Sequence, residues 1–307
     1  MSAKWVAGRV RAQALARRRL GPGRARMLAG SASLPDALAS LAATPYGHAV
    51  TRDQGLAEAQ HAVAATLLWH LRVLAGWLPR DGVTVLRAAA GWFELANVDG
   101  LLQRMEGLPQ EEPYALGALE ASWARLSDAP DAAGLRDRLA ATPWGDPGAA
   151  DPYAIRLFLR LSWASHVSAL GGRAAGWAAG AAAALVAGER FGAGRDLPAA
   201  ASAQAERLLG AAPMDASTLP VMAARLGRDA GWALDGADDP AELWRAEARC
   251  WSRMERDGEA LLRGSEFGAG PVLGAVAVLA ADARRVRAAL ETAARGGGPA
   301  GAYDAVA

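Results

Sequence analysis

Leu41-Ala-Ala-Thr-Pro-Tyr-Gly47 and Leu139-Ala-Ala-Thr-Pro-Trp-Gly145 are one heptapeptide written twice, with a single exchange, 98 residues apart. Each follows a short run of helical composition, Leu34 to Ser40 before the first and Leu135 to Arg138 before the second. A proline pushes the preceding residue out of the helical region, so Thr44 and Thr142 end their helices. Pro45 and Pro143 then set a turn that Gly47 and Gly145 can finish at positive φ. Tyr46 and Trp144 are expected to fold back onto the helix just ended. Two such stops, spaced by nearly a third of the 307 residues, predict a duplicated or triplicated helical unit. A third counterpart is expected between about residues 235 and 270.

Outward from these stops the chain reads as all-α. No long alternating Val/Ile/Thr run appears, and Ala, Leu, Arg and Glu dominate between Pro and Gly breaks. The pattern predicts helices over about 5–20, 34–41, 56–78, 83–104, 114–126, 132–140, 152–169, 173–189, 200–209, 217–231, 240–263 and 271–294. Ser33 with Asp36 forms a capping box, and Asp239-Pro240-Ala241-Glu242 reads as N-cap, N1 proline and N3 glutamate. Three helical units follow, 1–110 with a basic N-terminal helix, 111–212 and 213–295, before a disordered tail at 296–307.

Composition excludes several classes of function. A net charge of +1 argues against a nucleic-acid specialist. Lys4 is the only lysine, so arginine abundance reflects a GC-rich genome more than guanidinium chemistry. A lone Cys250 excludes an internal disulfide and a cysteine-only metal site, as suits a reducing cytoplasm. Ala174 to Gly188 is uncharged but only 15 residues long and mostly Ala and Gly. That is too short and too weakly apolar to span a bilayer, and it predicts a buried helix with small-residue contacts.

Catalytic signatures are missing. No glycine-rich phosphate loop exists, and His48, His61, His70 and His166 form no zinc pattern. Asp238-Asp239-x-x-Glu242 looks like the magnesium motif of helical prenyl-chain enzymes, but Pro240 makes it a helix start and no second carboxylate box follows. Cys250 has no histidine nearby in sequence. No catalytic, cofactor or metal residue is assigned.

Two segments have more charge than a core can hold. Lys4, Arg9, Arg11, Arg17, Arg18, Arg19, Arg24 and Arg26 precede the first acidic residue, Asp36, and read as a solvated face, a transit peptide or a patch for an acidic partner. From Val272 a run is apolar all round for three turns, then turns polar at Asp282, Arg284, Arg285 and Arg287, with Val286 and Leu290 continuing an apolar stripe. Arg9, Arg11, Asp282, Arg284 and Arg287 are therefore the candidate partner interface, expected to be exposed or paired at a rim.

The order of these segments resembles one family, that of the V-type ATPase d subunit and its archaeal-type ATP synthase counterpart, the C subunit. Gly8-Arg9-Val10-Arg11-Ala12-Gln13 stands where that family has Ala-Arg-Val-Arg-Ala-Met. Ser33 to Gly47 matches its Ser-x-x-Glu-x-Leu-x-x-Leu-x-x-Thr-x-Tyr-Gly segment at Asp36, Leu38, Leu41, Thr44, Tyr46 and Gly47. Phe93-Glu-Leu-Ala-Asn97-Val-Asp-Gly-Leu101-Leu102 resembles its Tyr-Asp-Ile-x-Asn-Leu-Lys-x-Leu-Leu helix. Phe267-Gly-Ala-Gly-Pro271-Val-Leu273 and Ala280-Ala-Asp282-Ala-Arg284-Arg-Val-Arg287 resemble its Phe-Gly-x-x-Pro-Val-Leu and Glu-x-Glu-Ile-Arg-Asn-Leu-Arg. Ala275, Ala280 and Asp99 depart from its tyrosine, glutamate and lysine.

The resemblance implies a pseudo-threefold, funnel-like body without catalytic residues or cofactor. It would couple the central-stalk subunits of a rotary ATPase to the proteolipid rotor ring during proton or sodium transport. The protein would be cytoplasmic and peripheral, meeting the membrane only through the ring and binding no nucleic acid. Two alternatives stand beside it: an α-helical enzyme handling isoprenoid diphosphates, and a helical scaffold paralogue that has left the motor.

Overall fold

The computed structural model describes residues 3–265, 267–297 and 303. Among them there is no strand; the chain is all-helical. In chain order the helices are α1 (Ala3–Ala16), α2 (Pro22–Ala29), α3 (Leu34–Ala42), α4 (Leu56–Ala75), α5 (Arg80–Ala90) and α6 (Trp92–Met105). Then come α7 (Trp123–Leu126), α8 (Ala132–Ala140), α9 (Pro152–Ser168), α10 (Gly172–Ala187) and α11 (Ala199–Leu209). The last are α12 (Ala211–Met214), α13 (Leu219–Arg225), α14 (Arg228–Gly231), α15 (Leu243–Arg263) and α16 (Ala269–Ala294). Of the tail expected to be disordered, only 296, 297 and 303 are among the described residues.

Caps place most starts where the sequence put them. The Ser33 hydroxyl accepts from the Asp36 amide at 3.3 Å and donates to the Asp36 carboxylate at 2.6 Å. Asp131 and Asp151 each accept from an amide three residues on, at 2.8 Å, opening α8 and α9. Asp239 accepts from the Ala241 amide at 2.9 Å, and the 3-10 turn Pro240–Glu242 leads into α15. The carboxylate is thus used as a cap.

Several boundaries differ from the sequence expectation, and four of them are instructive. Helix α2 was not expected; Gly21 at φ 83° turns the chain and Pro22 opens the helix. The stretch 83–104 is broken at Gly91, where a Cβ would lie 3.0 Å from the Trp163 ring and 3.1 Å from that of Trp144. Pro109 and Pro113 hold 108–116 out of a helix, leaving only a 3-10 turn at Gly117–Leu119 and the short α7. Leu226, extended at ψ 137°, separates α13 from α14.

The chain divides into two compact units, the first of residues 1–86, 116–119 and 254–307 and the second of 87–115 and 120–253. In the first, α16 is the axis: α1, α2, α3 and α4 all pack on it, and sixteen of its residues are buried, from Pro271 to Ala293. In the second, α9 lies against α6, α10 and α11. Its core gathers Leu157, Leu161, Val186, Met222 and Leu234 in one cluster and Leu102, Leu126, Leu135, Leu139 and Ile155 in another. The Ala/Gly-rich helix α10 is buried through its small residues as expected: at Gly180 a Cβ would sit 2.2 Å from the Trp232 ring.

Candidate functional site

Each heptapeptide closes its helix in the same way. Thr44 Oγ1 donates to the Leu41 carbonyl at 2.6 Å and accepts from the Tyr46 amide at 3.2 Å. Thr142 Oγ1 donates to the Leu139 carbonyl at 2.7 Å and accepts from the Trp144 amide at 3.2 Å. The threonine thus satisfies a carbonyl that the following proline cannot serve. Only one glycine behaves as expected. Gly145 has φ 91°, whereas Gly47 has no positive φ and is required because a Cβ would lie 1.9 Å from the Ala42 carbonyl oxygen.

Both aromatic side chains are buried, and Trp144 shares a core cluster with Leu135 and Leu139 of the helix just ended. Both also reach buried carboxylates. In the first unit Tyr46 Oη donates to Asp282 Oδ2 at 2.9 Å, and the same carboxylate accepts from the amides of Leu20 at 2.7 Å and Gly21 at 2.8 Å. In the second unit Trp144 Nε1 donates to Glu94 Oε1 at 2.7 Å. Glu94 also accepts from the amides of Ala121 at 2.8 Å and Ser122 at 2.9 Å. Both carboxylates therefore hold two consecutive backbone N–H groups ahead of a short helix, α2 or α7, and one aromatic donor. Burial, then the charge and hydrogen bond of Asp282, push the Tyr46 phenol well above its ordinary pKa, so it stays a donor.

Asp282 and Glu94 are 0% and 2% exposed, with every bond going to the chain itself. They act as locks between segments far apart in sequence.

The proposed interface residues do not form one site. Asp282, expected at a rim, is in the interior; its place on α16 between Val278 and Val286 puts it on the buried stripe. Arg9 is half-buried and caps the end of α15, donating to the carbonyls of Gly264 at 2.7 Å and Ser265 at 2.8 Å. Arg11 and Arg284 are half-buried, and only Arg287 is exposed. Sequence reasoning passed over Arg285, which pairs with Glu255 in a half-buried bridge.

The other candidate groups are structurally engaged. Glu242 pairs with Arg245 at 2.6 Å beside the Asp239 cap. Burial pushes the Cys250 thiol up to about 11, away from thiolate chemistry. His166 Nε2 lies 3.1 Å from the Pro143 carbonyl. Among the described residues no group of three or more His, Cys, Asp or Glu could hold a metal, and no helix is long and apolar enough to cross a membrane.

His70 gives the clearest pH dependence. It is 6% exposed, and burial, followed by the charges of Arg18, Arg11 and His48, lowers its pKa to about 4. The unfolded chain binds this proton near the ordinary value of about 6.5, while the fold excludes it until about pH 4. Stability is therefore fully present above about pH 6.5 and falls as pH drops towards 4, by at most about 3 kcal/mol from this residue. Urea unfolding of the native chain and of His70→Gln at pH 7 and pH 4.5 measures it. An equal loss in both proteins would remove His70 as the cause.

The chain matches no protein-family model and no curated protein.

Proposed function

We propose that the protein is a non-catalytic coupling subunit of a rotary V/A-type ATPase, linking the central stalk to the membrane rotor ring. The observation that carries this reading is the Tyr46–Asp282 bond. It ties together two of the segments on which the resemblance rests, Ser33 to Gly47 and Phe267 to Arg287. Its counterpart uses Glu94, the acid in the third such segment. The acids at Glu94 and Asp282 stand where the family pattern also has acids, and here each fixes a helix start to a helix stop.

A torque-bearing part needs such rigidity and no chemistry of its own. Where the chain departs from the pattern the fold accommodates it: Asp99 pairs with Arg156, and Ala275 is fully buried on α16. The arrangement of three similar units as a funnel belongs to this proposal, as does a peripheral place on the cytoplasmic side. The diphosphate-enzyme alternative is weakened because Asp239 and Glu242 are engaged as cap and ion pair.

Co-purification with the stalk and proteolipid-ring proteins from the same source tests the role. The wild type is expected to capture rotor components at low salt. Charge reversal at the exposed Arg287, alone and with Arg284, should weaken capture without unfolding, and the loss should shrink as salt rises. If neither the wild type nor the variants capture any rotor component, the scaffold-paralogue reading replaces this one.

A further inference from the structure

We propose that the groove between α2 and α3 binds a free medium-chain fatty acid, with its aliphatic chain on a leucine floor and its carboxylate on Arg24. The inference does not rest on the coupling role.

The groove has a volume of about 420 Å³, and among the described residues it is lined by α2, α3 and the turns beside them. Its floor is Leu20, Leu28 and Leu41, all buried in the folded chain, so hydrocarbon faces the opening. Arg24, Met27 and Leu28 share one side of α2 by their spacing of three and four residues. Met27 is 72% exposed, and at the rim its flexible thioether can follow the shape of a bound chain. Across the groove stand Ser40, Ala43 and Thr44 at the end of α3.

Arg24 is the one charged residue among these lining groups. It is exposed and pairs with no carboxylate among the described residues, whereas Arg19 nearby in sequence donates to Glu259 at 2.9 Å. The Ser40 and Thr44 hydroxyls donate to the carbonyls of Asp36 at 3.0 Å and Leu41 at 2.6 Å, so neither has a proton to give a ligand. A planar guanidinium matches one carboxylate through two parallel N–H bonds. A single such fork over a hydrocarbon floor describes an amphiphile with one negative charge. The volume lies near the small end of ligand sites, about 300–1,000 Å³, which suits one acyl chain and not a two-chain lipid.

The groove is also held ready. Asp282 accepts from the Leu20 and Gly21 amides at the start of α2 and from Tyr46 Oη just past the end of α3. One buried carboxylate thus fixes both walls, and a ligand need not order them on binding.

Calorimetric titration of the full chain with decanoate, below its micelle concentration and at low salt, tests the site. Saturable binding is expected. Decyltrimethylammonium, with the same chain length and the opposite charge, should bind about tenfold more weakly, as should decanoate to Arg24→Gln. Ala43→Trp and Ser40→Trp, each at an exposed position on the wall, fill the groove from the solvent side and should abolish binding, with circular dichroism confirming the helices. Arg17→Gln, an exposed arginine outside the groove, should leave binding unchanged. No saturable binding, equal affinity for the two amphiphiles, equal losses in Arg17→Gln and Arg24→Gln, or undiminished binding in a folded tryptophan variant overturns the proposal.

Discussion

Asp282→Ala is expected to lower the unfolding free energy by about 4 kcal/mol, among the largest effects of any single substitution in this chain. The carboxylate is fully buried and accepts from Tyr46 Oη and from the amides of Leu20 and Gly21. Alanine leaves all three donors desolvated and unpaired, each costing about 1–3 kcal/mol. Asp282→Asn keeps the volume but turns an N–H₂ towards a donor, so it should fall between alanine and wild type. Tyr46→Phe removes one donor and leaves the carboxylate two amides, at about 1–2 kcal/mol. Denaturant unfolding of the three variants, with a cycle pairing Tyr46→Phe and Asp282→Asn, tests the order. Amide exchange at Leu20 and Gly21 should accelerate in the Asp282 variants. A loss below about 1 kcal/mol for Asp282→Ala would show that the lock contributes little.

Glu94→Ala should behave in the same way in the second unit, releasing Trp144 and the amides of Ala121 and Ser122. These parallel effects would make the duplication energetic as well as geometric.

What the sequence revealed, and what it hid, follows from the range of the forces involved. The helix stops at Thr44-Pro45 and Thr142-Pro143 were legible because proline acts on its immediate neighbour. Caps at Ser33 and Asp239 are equally local. The partners of Tyr46 and Trp144 were hidden, since Tyr46 meets a residue 236 positions away and Trp144 one 50 positions away. A signal for Asp282 was nonetheless present. It lies four residues from both Val278 and Val286, inside the apolar stripe, and the arginines beside it drew the reading outward. The same error made one partner interface of five residues that the structure disperses. Gly91 shows a limit of another kind: periodicity ran through it, and the crowding by Trp144 and Trp163 that calls for a glycine there comes from residues far along the chain.

The second large effect is expected at the crossing of α15 and α16. A Cβ on Gly274 would lie 2.6 Å from the Gly258 carbonyl oxygen and 3.1 Å from Leu261 Cβ. One on Gly258 would lie 2.8 Å from Ala277 Cβ and 3.0 Å from the Gly274 carbonyl oxygen. The nearest neighbour of each is a backbone oxygen or a Cβ atom, which has no flexible end to move aside, and Leu262 Cγ at 3.0 Å and Val278 Cγ1 at 3.2 Å crowd the same crossing. Gly274→Ala should therefore cost about 3 kcal/mol, although alanine is favoured over glycine in a helix by about 1 kcal/mol. Gly23→Ala serves as the opposite control: it lies in α2 with nothing within 4 Å, and it should stabilise by about 0.5–1 kcal/mol. The two glycines share one crossing, so the Gly258→Ala and Gly274→Ala losses should not add. Asp282 follows Gly274 by about two turns of α16. Shifting the helix to admit a methyl group also shifts the carboxylate from the amides of Leu20 and Gly21. Faster exchange at those two amides in Gly274→Ala would tie the glycine crossing to the lock, and unchanged exchange with lost stability would show that the two act separately.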